Sequence, residues 1–240
     1  MNLIGFSSGA LAKGDFRAGI DLQQKRGITA VEVSALRDHE FLPLVASVCT
    51  LDLSAFAYVS FHAPSRLVTL TEESLIEGLL RLPETWALVV HPDIICTPQL
   101  WEVLGERLCV ENMDLRKSTG RTVAELSPIF TLLKEASFCF DLGHARQVDP
   151  TMGVALELLR AFGSRMRQLH LSEVTETGRH KAIGFMSEHA FRRIASLLPS
   201  CPVIIESIIS SSEIDAELQV ARNILQRSGS AGLLRSCWGE

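Results

Sequence analysis

The stretch "FCFDLGHARQ", residues 138–147, decides how the chain is read. It opens as an aromatic and apolar run, the composition of a strand buried on both faces, and stops at Asp141 with His144 three positions on. A carboxylate and an imidazole at the end of an interior strand ask for a reason. The pattern around them recurs. Segments 3–7, 30–33, 57–62, 87–91, 108–111, 137–141, 166–171 and 203–206 all read as short apolar strands. Helix-start chemistry lies between them: Thr97 before Pro98 and Asp149 before Pro150 each set a capping residue ahead of a proline at the first helical position. "TVAE" at 122–125 and "SSSE" at 210–213 fit the capping box. Eight strands alternating with helices predict a parallel sheet wrapped by helices. At this length the expectation is one α/β domain over residues 1–240, a single (β/α)8 TIM barrel, with a doubly wound open sheet as the alternative.

Composition narrows the class. The chain has 240 residues, 47% of them hydrophobic, with mean hydropathy +0.21 and net charge −5. No window approaches the ~20 unbroken apolar residues of a membrane span, so no membrane partner is expected. The opening "MNLIGFSSGALAKGDF" lacks a basic start and reads as a first strand and loop, not a leader. Six cysteines without a CxxC pair read as free, mostly buried thiols in a reducing cytoplasm. With no lysine-rich block, nucleic acid is not the default partner.

The strand ends carry the chemistry. Strand three ends at His62, strand four at His91, strand five at Glu111, and strand six at Asp141 with His144 beyond. Strand seven contains His170 and is followed by His180; strand eight ends at Glu206. In a barrel the C-terminal strand ends converge on one face. Three carboxylates gathered there cannot all stay ionised unaided, because desolvation and repulsion raise their pKa values. A divalent cation removes both problems. His39 and His189 fall outside the pattern and read as surface or packing residues.

In their order, "HAP", "HPD", "VENMD", "FDLGHA", "LHLSE", His180 with Gly184, and "IIES" resemble the xylose-isomerase-like barrel superfamily. It holds sugar isomerases and epimerases as well as endonuclease IV, the abasic-site repair enzyme (AP endonuclease family 2). The resemblance spans roughly residues 57–207. For the sugar-isomerising branch it implies one metal held by Glu111, Asp141, His170 and Glu206, with His144 on a substrate oxygen. For endonuclease IV it implies three zinc ions. His62, His91 and Glu111 match the first, and Glu111, Asp141, His170 and Glu206 the second. The third would take His144, His180 and an Asp where this chain has Gly178, so it is one ligand short. A Tyr and a Leu expected after "HAP" are here Ser65 and Arg66. Both departures argue against abasic-site repair.

The first functional expectation is therefore a metal-dependent sugar or sugar-phosphate isomerase or epimerase. Its metal is Mn, Zn, Mg or Co, one ion in the first instance and two in the alternative. Glu111 and Glu206 would exchange a proton beside a metal-polarised carbonyl, with His144 orienting a hydroxyl. The alternative is a phosphodiester hydrolase in which Glu111 bridges two ions and His62 and His91 complete the second. A third reading is a silent barrel used as a binding module. Basic residues in the front loops (Arg37, Arg66, Arg116, Lys117, Arg121, Arg146, Arg179 and Lys181) would focus a small anionic or polyhydroxylated substrate. Of these Arg66, Arg146 and Lys181, with His62, His91 and His180, are the candidate substrate contacts. Loop 112–121, with Gly120 as hinge, is a candidate lid. A homo-oligomer is compatible with all of this.

Overall fold

The computed structural model describes residues 3–226. Ten strands follow in chain order: β1 (Ile4–Ser7), β2 (Ala30–Ser34), β3 (Tyr58–His62), β4 (Ala87–Val90), β5 (Leu108–Glu111), β6 (Ser137–Asp141), β7 (Met166–Leu171), β8 (Glu173–Val174), β9 (His180–Lys181) and β10 (Val203–Ile205). Eight of them close a parallel barrel in the order β1-β10-β7-β6-β5-β4-β3-β2. The open-sheet alternative is thereby excluded. His91 and Glu206 stand one residue past β4 and β10, so they project from the rim. β8 and β9, which no sequence pattern announces, pair antiparallel in the loop after β7 and bring His180 back over the barrel.

Strand alternation sorts residues into two environments. Phe61, Phe138 and Phe140 face the helices; Phe138 packs edge-on against Phe130 and at 64° to Phe162, which lie on helices Val123–Leu132 and Gly153–Phe162. The other set faces the barrel axis. Deep inside, Ala87, Val89, Cys109 and Cys139 form a small cluster separate from the main core, with Tyr58 packed on it. Above it lie Glu32, Ser60 and Gln168, and above these the strand-end ligand types. The interior is thus apolar at one end and ionisable at the other.

Local corrections have physical causes. The helix expected at Pro150 starts at Gly153, because the Asp149 carboxylate accepts from the Thr151 and Val154 N–H groups and organises a turn, with Met152 left-handed at φ 69°. In "TVAE" Thr122 does cap, but Glu125 turns to Arg121 instead of closing the box. In "SSSE" Glu213 accepts from the Ser210 N–H while the helix starts only at Ile214. Cys109, Cys139 and Cys201 are buried free thiols, but Cys49 and Cys96 are exposed; Cys237 lies outside the described residues. Among the described residues no helix is long and apolar enough to cross a membrane.

Barrel closure passes through Gly5. A Cβ there would fall 1.7 Å from the Ala30 carbonyl oxygen of the neighbouring strand. Gly5→Ala is expected to cost on the order of 4 kcal/mol or more, the range reserved for disrupted cores. Urea unfolding measures it, and a loss under about 1 kcal/mol would contradict this packing.

Candidate metal centre

Glu111 ends β5 and is fully buried. Its Oε2 lies 3.2 Å from Nε2 of His62 and 3.2 Å from Nε2 of His91, which come from the adjacent ends of β3 and β4. Its Oε1 lies 2.9 Å from His170 Nδ1 and 3.6 Å from His144 Nδ1. Four imidazoles converge on one carboxylate. Glu206 adds Oε2 at 3.4 Å from His170 Nδ1 and 3.6 Å from His180 Nδ1.

Asp141 answers the question its sequence raises. Its Oδ1 accepts the His144 N–H at 2.6 Å, capping helix Leu142–Val148, while Oδ2 is buried without a hydrogen-bond partner. The residue is a helix cap with its second oxygen turned into the site.

Five groups have their donor atoms within 4.8 Å of one another among the described residues; two are Glu111 with Cys139 and His170, and Glu32 with His62 and Glu206, and the three that match the strand-end expectation are, in turn, His62, His91 and Glu111; Glu111, Asp141, His170 and Glu206; and Asp141, His144 and His180. Of these three, Glu111 belongs to the first two and Asp141 to the last two. In the third group Asp141 supplies the carboxylate that position 178 lacks. Gly178 has φ +72°, and a Cβ there would fall 1.8 Å from Arg116 Nε. The Arg116 guanidinium, 2.5 Å from Asp114, therefore fills the space a side chain at 178 would take.

The donor set fits divalent cations. His62 Nδ1–H donates to the Ala63 carbonyl at 2.7 Å, and His144 Nδ1–H donates to the Asn112 carbonyl at 2.9 Å. Each bond fixes one ring nitrogen, as around metal-binding histidines: His62 is left with Nε2 on Glu111, and His144 with Nε2 3.8 Å from Asp114 Oδ2. His144 Nε2 and Asp141 Oδ2 are buried and unpartnered. The chain's own charges point the same way. Burial works against a charge on His62, yet its Glu111 hydrogen bond and the carboxylates of Glu32, Glu111 and Glu206 raise its pKa to about 9. His91, on the same Glu111 oxygen, is pushed down by burial and by the positive charges of His62 and Lys117. Burial opposes the ionisation of Glu111, but His170, His62 and His91 hold it well below the usual carboxylate range. Burial and the charges of Glu111 and Glu206 push Asp141 well above it. Protons thus stand where a cation's charge would serve.

Above the cluster opens a cavity of about 290 Å³. His62, His91, His144, His180, Glu111 and Glu206 reach it, and Lys13, Arg116, Lys117 and Arg179 surround it. Arg66, Arg146 and Lys181 do not line it, and Lys181 pairs with Glu173 at 2.9 Å. Of the anticipated basic rim, Arg37, Arg116, Lys117 and Arg121 are also held by carboxylates: Glu40, Asp114, Asp93 and Glu125. Lys13, missed in the sequence, is left-handed at φ 56° and directs its chain toward the mouth. Loop 112–121 is fastened, not hinged. Met113 N–H donates to the Gly120 carbonyl, and Lys117 reaches Asp93 and the Ser65 carbonyl. Gly120 has φ +87° with Pro92 Cγ 2.3 Å from where a Cβ would stand, so close packing explains it. His39 and His189 are exposed. A larger cavity of about 520 Å³ lies by Ile4, Ile28, Leu198 and Leu218 and includes none of the ligand groups.

Solved structures share this fold. A xylose isomerase domain-containing protein from Salmonella typhimurium LT2 superposes with TM-score 0.61 at 16% identity, covering 94% of this chain and 98% of that one. The shared fold is a (β/α)8 TIM barrel. The TTHB071 protein from Thermus thermophilus, soaked with zinc chloride, gives TM-score 0.58 at 20% identity, covering 94% of this chain and 98% of that one. An AP endonuclease of family 2 from Brucella melitensis gives TM-score 0.53 at 13% identity, covering 87% of this chain and 93% of that one. No family model and no curated protein matches the sequence.

The raised pKa of His62 carries a linkage consequence. Its contribution to stability is complete below about 6.5 and is lost as pH rises through about 9, and raised Asp141 has the same sign. The metal-free protein should therefore lose melting temperature between pH 6.5 and 9, and saturating zinc should flatten the decline because a cation replaces the protons. Thermal melts with chelator and with zinc test this; parallel slopes would contradict it.

Proposed function

We propose that this chain is a divalent-metal hydrolase of small phosphate esters, with more than one cation held at the barrel mouth. The observation that carries the reading is Glu111. Both of its oxygens are engaged, one toward His62 and His91 and the other toward His170, so it joins two ligand groups. A single-ion isomerase does not require the His62–His91 pair on that carboxylate. Glu111, Asp141, His170 and Glu206 would hold one cation, and His62, His91 and Glu111 another. Zinc, with which the Thermus crystals were soaked, is the first to try. Cations bound there supply charge neutralisation at phosphoryl oxygens and a nucleophile usable at neutral pH.

The protein's own groups do the rest. Lys13 and Arg179 border the cavity and orient the anionic ester. The unpartnered Nε2 of His144 accepts a proton-bearing group of the substrate. About 290 Å³ suits a small ester.

The complete set of Glu111, Asp141, His170 and Glu206 favours a second reading, a sugar or sugar-phosphate isomerase or epimerase. There Glu206, which reaches the cavity, moves the proton.

The test is turnover of bis(p-nitrophenyl) phosphate and of ketose phosphates by zinc- and manganese-loaded protein. The hydrolase reading expects ester cleavage that His91→Ala lowers at least ~100-fold, in line with loss of an activating ion. Solvent deuterium entering a ketose phosphate, abolished by Glu206→Gln and untouched by His91→Ala, would put the isomerase in its place. Catalytic efficiency on the anionic substrate should also fall steeply with ionic strength, and Lys13→Ala with Arg179→Ala should remove most of that dependence. A flat salt response would exclude the cationic mouth from substrate capture.

A further inference from the structure

Glu32 is fully buried in β2, below the ligand cluster, and no lysine or arginine among the described residues pairs with it. Its Oε2 lies 3.2 Å from His170 Nε2, 2.6 Å from Gln168 Nε2 and 3.2 Å from Ser60 Oγ, while Oε1 has no hydrogen-bond partner. The Tyr58 hydroxyl donates to Gln168 Oε1 at 2.7 Å, which sends the Gln168 amide nitrogen toward Glu32. The reverse orientation would set an amide oxygen 2.6 Å from a carboxylate oxygen, two acceptors in contact. A buried carboxylate at this depth is costly unless something depends on it.

What depends on it is His170. Its Nδ1 faces the site, 2.9 Å from Glu111 and 3.4 Å from Glu206. Once Nδ1 gives its lone pair to a cation, the ring's proton resides on Nε2 and needs an acceptor. The Gln168 amide nitrogen, 2.6 Å away, is a donor and offers no acceptor; it bonds Nε2 only while the ring proton is on Nδ1, so a cation at Nδ1 turns Nε2–H to Glu32 and moves the amide off this contact. Glu32 Oε2 is the one acceptor within hydrogen-bond distance of Nε2 among the described residues. His62 and His144 rest their outer nitrogens on backbone carbonyls, whereas His170 rests its own on a carboxylate. A carboxylate behind a histidine fixes its tautomer and makes it a stronger ligand than a carbonyl does.

We propose that Glu32 is the positioning residue that commits His170 to metal binding through Nδ1 and strengthens it, so that the four-ligand cation is held more tightly than the His62–His91 cation. The inference rests on the metal-centre reading above, and it holds whether the reaction is hydrolysis or isomerisation.

The experiment is a zinc titration of the full chain against a chromogenic chelator, for wild type, Glu32→Gln and His91→Ala. Loss of one binding class in His91→Ala identifies the His62–His91 ion. Glu32→Gln is then expected to weaken the remaining class by roughly 10–100-fold, the effect of removing an outer-shell partner, and to change the His62–His91 class by a clearly smaller factor. Equal affinity in Glu32→Gln and wild type overturns the inference while leaving the metal centre intact. So does uniform weakening of both classes, which marks a general structural effect. A wild type that binds no zinc overturns the metal reading itself. Nitrogen NMR of zinc-loaded wild type, independent of any variant's folding, should show His170 metal-bound at Nδ1 and protonated at Nε2; coordination through Nε2 overturns the inference.

Discussion

Everything at the mouth of this barrel follows from a problem of charge. Glu111, Asp141 and Glu206 meet within 4.8 Å at the buried ends of three strands, and Glu32 lies directly below. Glu111, Asp141 and Glu32 are fully buried, so each negative charge there needs a partner. The chain answers with imidazoles: the carboxylates hold protons on His62 and His170 in the absence of a cation, and His91, His144 and His180 stand around them. Histidine suits that task because it exchanges a proton for a metal near neutral pH. The opposed shifts of His62 upward and His91 downward, on one shared oxygen, show how closely the protonation is balanced.

The barrel makes this arrangement possible. Parallel strands bring every C-terminal end to one face. Alternation then assigns the phenylalanines of β3 and β6 to the helices and His62 and Asp141 to the axis. The costly groups sit on strand ends, while the lower interior is closed by Tyr58, Cys109 and Cys139. Helix capping supports the site directly, because one oxygen of Asp141 holds a helix N-terminus and so fixes where the other points.

Much of this is legible in the sequence, for a definable reason. Doubly buried strands carry continuous apolar runs, so a His, Asp or Glu that ends one is conspicuous, and the eight strands and the ligand types at six consecutive ends can be read directly. Glu32 shows what escapes. In "AVEVS" it alternates with valines and reads as the exposed side of an ordinary strand, yet in a closed parallel barrel neither face is exposed. That rule would have marked it. Lys13 escapes because its approach to the mouth depends on a left-handed backbone no motif announces. The basic rim is overestimated because a loop sequence does not show that Asp114, Asp93 and Glu173 occupy Arg116, Lys117 and Lys181. The part played by Asp141 in the third ligand group is likewise a tertiary fact, arising where β6, its helix and the β8–β9 ribbon meet.

The central claim is that Glu111 joins two cation sites. Elemental analysis of the full chain, purified without chelator and counted per folded molecule, addresses it most directly. Two or more divalent ions per chain are the predicted result. One ion or none, in protein that is folded and supplied with zinc during purification, would contradict it.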